Sequence, residues 1–189
     1  MKRLVTLLCM LCLAAPAAAA WDISQLMNDL ARRAGGRATF VEKKYLAVLD
    51  KPLVSSGELS FTAAGRLEKR TLKPKPELIS LDNDVLYVEH GDKKFTLRLS
   101  SRPEAVAFVD SIRGTLTGNR KVLEASYALS LSGTPANWTL SLLPSDTTIA
   151  ALLTRIDIRG VRDRVTSVEY LLADGDRTVM SITPIEGTQ

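Results

Sequence analysis

The groups that could do covalent or metal chemistry in this sequence are few. His90 is the one histidine among 189 residues, and Cys9 and Cys12 are the two cysteines. A Cys/His zinc centre needs more ligands than that, at set spacings. Ser55, Ser56 and Ser111 could serve as nucleophiles only with a base beside them. His90 lies between Glu89 and Gly91-Asp92, in a predicted turn, where a solvated histidine is expected. There is no G-x-S-x-G elbow, no glycine-rich phosphate loop and no H-E-x-x-H motif. Asp82 and Asp84 begin a calcium-like pattern, but it stops at Leu86 and Val88, which read as strand core. Asp174 and Asp176 flank Gly175 as turn residues do. The expectation is a protein with no catalytic residue, no metal and no cofactor. A hydrolase acting on lipid through one of the serines is an alternative, and a covalent serine probe would reveal it.

The charges point to no polyanion. Lys69, Arg70, Lys73 and Lys75 form one basic cluster, and Arg155, Arg159, Arg162 and Arg164 another. Binding to single-stranded nucleic acid calls for aromatic residues interleaved with such runs, and neither run has any. Solvated strand faces are the simpler reading. Docking to an anionic membrane surface or an acidic partner is the other. Glu42, with Lys43 and Lys44, reads as a solvated strand end. Hydrophobic residues make up 46% of the chain and charged ones 24%, a composition that excludes disorder and low-complexity polymers.

Residues 1–20 read as a cleaved signal peptide. Lys2 and Arg3 precede an apolar stretch from Leu4 to Leu13, Pro16 ends it, and Ala18-Ala19-Ala20 offers a cleavage site before Trp21. About ten apolar residues are too few to span a bilayer of about 30 Å. Leu11 before Cys12 argues against a lipid anchor. Cleavage removes both cysteines and lowers the formal net charge from +4 to +2. Residues 21–189 are expected to form a single exported domain, located in a bacterial periplasm.

That domain reads as one helix followed by strands. Asp22 precedes Ile23, Leu26, Met27, Leu30 and Ala34, a helical stripe with Gln25 placed for a capping box and Gly35-Gly36 as the stop. Strict alternation then dominates. It places Leu59 and Phe61, Ile79 and Leu81, and Phe95, Leu97 and Leu99 on one sheet face. Leu129 and Leu131, Trp138, Leu140 and Leu142, and Ile156 and Ile158 continue that face. Turn signals at Asp82-Asn83-Asp84, His90-Gly91-Asp92, Ser132-Gly133 and Asp174-Gly175-Asp176 divide roughly ten strands. Two helical inserts interrupt them. One has a capping box at Ser101 and Glu104, Pro103 near its first turn, an apolar stripe of Ala105, Phe108, Val109 and Ile112, and an end at Gly114. The other runs through Ile149, Ala150, Ala151, Leu152 and Leu153. Ten aromatic residues must help fill the space between a large sheet and these stripes. A large antiparallel sheet that curls around helices leaves a concave apolar interior.

The order of elements resembles the LolA-like outer-membrane lipoprotein carriers. The residues that carry the resemblance are Phe40-Val41-Glu42, Gly57-Glu58-Leu59-Ser60-Phe61, Gly65-Arg66-Leu67, the helix after Arg102-Pro103, the strand around Trp138 and the closing Asp174-Gly175-Asp176 hairpin. Together they cover residues 22–185. The resemblance implies an α+β, mainly β fold: a large antiparallel sheet forming an unclosed barrel, with a helical lid over an apolar cavity. It implies a monomeric carrier of acylated lipoprotein or another acyl lipid, working between an inner-membrane exporter and an outer-membrane acceptor. On that reading the sheet residues above line the cavity. Val106, Phe108, Val109, Ile112, Ile149, Leu152 and Leu153 form the lid. A module of the same fold that senses lipid or lipoprotein is the alternative. The family's lid-holding arginine and the proline after it fall on Ala63 and Ala64, and its glutamine after the first strand's phenylalanine falls on Glu42. Pro52-Leu53 and Lys73-Pro74 place the chain nearer a divergent branch.

Overall fold

The computed structural model describes residues 21–33, 35–62 and 64–185, without the side chain of Pro103. The expected signal peptide, Ala34 and Ala63 lie outside the described residues.

Helix α1 (Ile23–Ala31) begins where Asp22 caps it, the carboxylate accepting the Gln25 N–H at 2.9 Å. Its stripe is the buried face: Leu26, Met27 and Leu30 are all at most 3% exposed. The helix ends at Ala31, before the glycines. Gly35 opens the first strand instead, at a φ of +136° that favours glycine.

Among the described residues eleven strands follow: β1 (Gly35–Tyr45), β2 (Leu53–Thr62), β3 (Leu67–Lys73), β4 (Glu77–Asp82), β5 (Val85–His90), β6 (Lys93–Arg98), β7 (Tyr127–Thr134), β8 (Asn137–Pro144), β9 (Leu153–Val161), β10 (Arg164–Leu172) and β11 (Arg177–Pro184). They form one antiparallel sheet in the order β6-β5-β4-β3-β2-β1-β11-β10-β9-β8-β7. β1 and β11 pair at the centre, with Ala38 opposite Pro184 and Tyr45 opposite Arg177. β6 and β7 are the two edges, so the sheet is not closed into a barrel. It is curled, however. Leu86 of β5 and Ile158 of β9 line the same cavity although seven strand steps separate them. In a flat sheet that is about 34 Å, at about 4.8 Å per step.

The chain passes from edge to edge through a 3₁₀ turn (Leu99–Ser101), α2 (Pro103–Leu116) and α3 (Arg120–Glu124). Helix α2 departs from its expected limits at both ends. The capping box does not form: Arg102 is the N-cap, without a side-chain cap, and the Ser101 hydroxyl donates to the Arg98 carbonyl. Gly114 does not end the helix either. A Cβ there would stand 2.8 Å from Leu123 Cδ2, so the glycine lets α2 and α3 approach closely. Helix α4 (Thr147–Ala150) is a single turn capped by Asp146. Leu153 opens β9 rather than ending that helix, and Leu152 is 47% exposed. Gly133 lies within β7, and the β7–β8 turn falls at Pro135-Ala136.

The packed core fills one half of the concave face. Leu26, Met27 and Leu30 of α1 meet Leu123, Tyr127, Trp138, Leu140, Leu142, Leu153, Ile156, Ile158 and Val168. Trp138 is fully buried, and its Nε1–H donates to the Arg162 carbonyl at 2.9 Å. Its ring lies against Gly160, where any Cβ would collide with it. The Gly160→Ala variant is therefore expected to lose about 1–3 kcal/mol, the usual cost of overpacking a core. Urea unfolding should show a lower midpoint at unchanged slope, and an unchanged midpoint would contradict this packing.

Candidate functional site

The other half of the concave face is not filled by helix side chains. Between it and α1 and α2 lies a cavity of about 400 Å³, within the range of about 300–1,000 Å³ typical of small-molecule sites. Its floor follows from strand register. Leu59, Lys69 and Ile79 face one another across β2, β3 and β4, and Phe61, Leu67, Leu81 and Leu86 form the next row. Met180, Ile182 and Pro184 of β11, Val165, Val168 and Tyr170 of β10, and Ile158 of β9 make the far wall. Leu30 of α1 and Phe108, Val109, Ile112 and Leu116 of α2 cover it. Helix α2 thus splits its work. The large apolar stripe faces the cavity, while the small residues Ala107, Ser111 and Gly114 are the buried contacts on its other side.

The expected lining is divided between cavity and core. Leu59, Phe61, Ile79, Leu81 and Ile158 stand on the cavity wall, as do Phe108, Val109 and Ile112. Trp138, Leu140, Leu142 and Ile156 do not line it, because α1 covers them and they belong to the packed core. Leu129 and Leu131 pack against that core, and Ile149 and Leu153 are part of it. Leu99 is buried in the 3₁₀ turn, Leu97 is half-buried, and Phe95 is 54% exposed on the edge strand β6. Val106 and Leu152 also lie off the wall. The alternation signal could have found Leu67, Leu86, Met180 and Ile182. Tyr170 and Lys69 needed the register.

Polar groups mark the two ends of the cavity. At the end where β1 begins, Arg33 pairs with Asp163 at 3.1 Å. Toward the β1–β2 hairpin, Lys69 Nζ lies 2.8 Å from Glu42 Oε2 and 5.0 Å from the centre of the Phe40 ring. This corrects the solvated reading of both residues: Glu42 is 6% exposed, and Lys69 is on the cavity wall. Phe40 and Glu42 alternate inward on β1 with Ala38, so their faces are set by the strand. Tyr170 stands 6.0 Å from Phe108, ring to ring. Its own burial, then the Tyr127 and Glu42 charges, push its pKa above the usual phenol value. Under α2, burial and the charge of Asp110 push Tyr127 up to about 12. Two members of the second basic cluster, both on β9, are also paired. Arg155 lies 3.1 Å from Asp157, and Arg159 lies 2.9 Å from Glu169. His90 is not in the turn but is the exposed last residue of β5, 3.2 Å from Glu77. Among the described residues, no cluster of three or more His, Cys, Asp or Glu side chains could hold a metal.

A sequence profile of the family described as outer membrane lipoprotein carrier protein LolA-like matches residues 14–183. The chain belongs to this family. No curated protein sequence matches it. Solved structures similar to this LolA-like chain include a LolA superfamily protein from Nitrosomonas europaea, at TM-score 0.45 and 9% identity over 88% of this chain and 93% of that one. The lipoprotein LppX of Mycobacterium tuberculosis gives 0.47 and 6% over 88% and 96%. The MucA/MucB complex of Pseudomonas aeruginosa gives 0.46 and 16% over 88% and 59%. Of the two positions where the LolA-like pattern has its arginine and proline, Ala63 lies outside the described residues and Ala64 is exposed.

The Tyr127 hydroxyl is buried without a hydrogen-bond partner among the described residues. Removing an unsatisfied buried hydroxyl relieves a desolvation cost. Tyr127→Phe is therefore expected to match or exceed the parent in stability, by about 1 kcal/mol at most. Thermal unfolding followed by circular dichroism tests it, and a clear drop in midpoint would mean that the hydroxyl is bonded in solution.

Proposed function

We propose that this LolA-like protein is a non-enzymatic, periplasmic carrier that holds acyl chains of lipoproteins or related lipids in the cavity between its sheet and α2. The observation that supports this most is the apolar wall, left unfilled between the sheet and two helices in a chain of this family. Each methylene moved from water into such a wall contributes about 0.8 kcal/mol. A chain of fourteen methylenes then gains about 11 kcal/mol before the costs of immobilising it and opening the cover. Phe108, Val109 and Ile112 are the residues that would move, since α2 carries them across the cavity. With alanine at positions 63 and 64, where the family has arginine and proline, closure rests on these apolar contacts. An inner-membrane exporter and an outer-membrane acceptor complete the proposed route.

Native mass spectrometry of protein released gently from the periplasm, followed by organic extraction, tests the reading. A bound acylated species is expected. An empty protein that also refuses added acyl lipid would overturn it. Transfer of that lipid between two vesicle populations separates a carrier, which delivers, from a sensor, which binds without delivering. The Phe108→Asp variant is expected to bind a fluorescent fatty acid about tenfold more weakly, or worse, while its far-ultraviolet spectrum still shows the sheet. Unchanged binding would remove α2 from the proposed cover.

A further inference from the structure

The ion pair on the inner wall is out of keeping with the surface around it. Lys69 stands between Leu59 and Ile79 in register, and both of these line the cavity. Its side chain is 22% exposed and that of Glu42 only 7%. Burying such a pair carries a desolvation cost, and apolar side chains of the same volume often serve a fold as well or better. Stability alone therefore does not account for it.

The local backbone is shaped to allow the contact. Phe40 lies opposite Gly57 and Glu42 opposite Ser55 on β2, while Lys69 on β3 is paired one step further along with Leu59. The Lys69 ammonium meets Glu42 beside the Phe40 ring. A Cβ at Gly57 would collide with the Arg70 backbone, so the glycine lets β2 and β3 approach closely here. The cluster is also short of negative charge. Glu42 faces Lys69 at 2.8 Å and Lys44 at 3.8 Å, and the Ser55 hydroxyl donates to it at 3.4 Å. One carboxylate thus serves two ammonium groups. An ammonium has three donors, and among the described residues Glu42 is the one hydrogen-bond acceptor of Lys69.

We propose that Lys69 reads the polar end of the ligand, taking the carboxylate or phosphate of an acyl amphiphile, with Glu42 holding the ammonium in place until that anion arrives. This rests on the cavity being an acyl-lipid site. It makes the preferred cargo an anionic amphiphile rather than a neutral one of the same chain length.

The test compares palmitate, hexadecyl phosphate and hexadecanol as competitors of a fluorescent acyl probe, on the full chain and its variants. The parent is expected to bind at least one of the two anions about tenfold more tightly than the alcohol. Whichever anion shows the larger preference tells carboxylate from phosphate. Lys69→Met is expected to abolish the preference, so that both anions bind this variant no more tightly than hexadecanol does. Glu42→Gln is expected to increase it, since a competing acceptor charge is gone. If Lys69→Met does not fold, the Lys69→Met/Glu42→Met double variant replaces the pair with apolar volume and serves the same comparison. No anion preference in the parent, or an unchanged one in the lysine variant, overturns the proposal and leaves the acyl-lipid reading intact. Failure of all three amphiphiles to bind the parent overturns both.

Discussion

One topological constraint shapes the molecule: β6 and β7 are consecutive strands placed at opposite edges of an eleven-stranded sheet. Whatever joins them must travel from one edge to the other. Laid flat, the edges would stand about 48 Å apart, at about 4.8 Å for each of ten steps. Helix α2, the longest element of the connection, spans only about 21 Å at about 1.5 Å per residue. The sheet curls, and the connection lies across its concave side. Cover and cavity are two results of that one crossing.

The two halves of the concave face differ because more helices stand over the first. Over β7 to β10, α1 and α3 supply Leu26, Leu30 and Leu123, and the space closes into a core around Trp138. Over β2 to β5 the cover is mainly the cavity-facing side of α2, with Leu30 of α1 beside it. The large side chains of α2 meet the sheet across a gap. The apolar residues on the two halves are of the same kinds. Only what stands opposite them differs.

This explains what could be read in advance. A period of two shows which strand residues face inward, and that reading is right for Leu59 and Phe61 as for Leu140 and Ile158. It cannot show which inward residues a helix will cover, so Trp138, Leu140, Leu142 and Ile156 were expected at the cavity and stand in the core. Helix α3 left no stripe long enough to notice, and α2 outran Gly114 because that glycine serves packing rather than termination. Glu42 and Lys69 read as solvent-facing because charged residues on strands usually are. Their meeting depends on registers across three strands, which no local pattern carries.

The pairing of β1 with β11 has a bearing on how the chain folds. Every other strand pair, the edge connection aside, joins neighbours in sequence, so β1–β6 and β7–β11 are each a local meander. Such contacts form early because the loops they close are short. The seam that brings Ala38 to Pro184 is the one strand pairing that unites distant parts of the chain. Leu59 and Ile79 come from one meander, Val168 and Met180 from the other. The cavity is thus a property of neither half, and it comes into being when the seam closes.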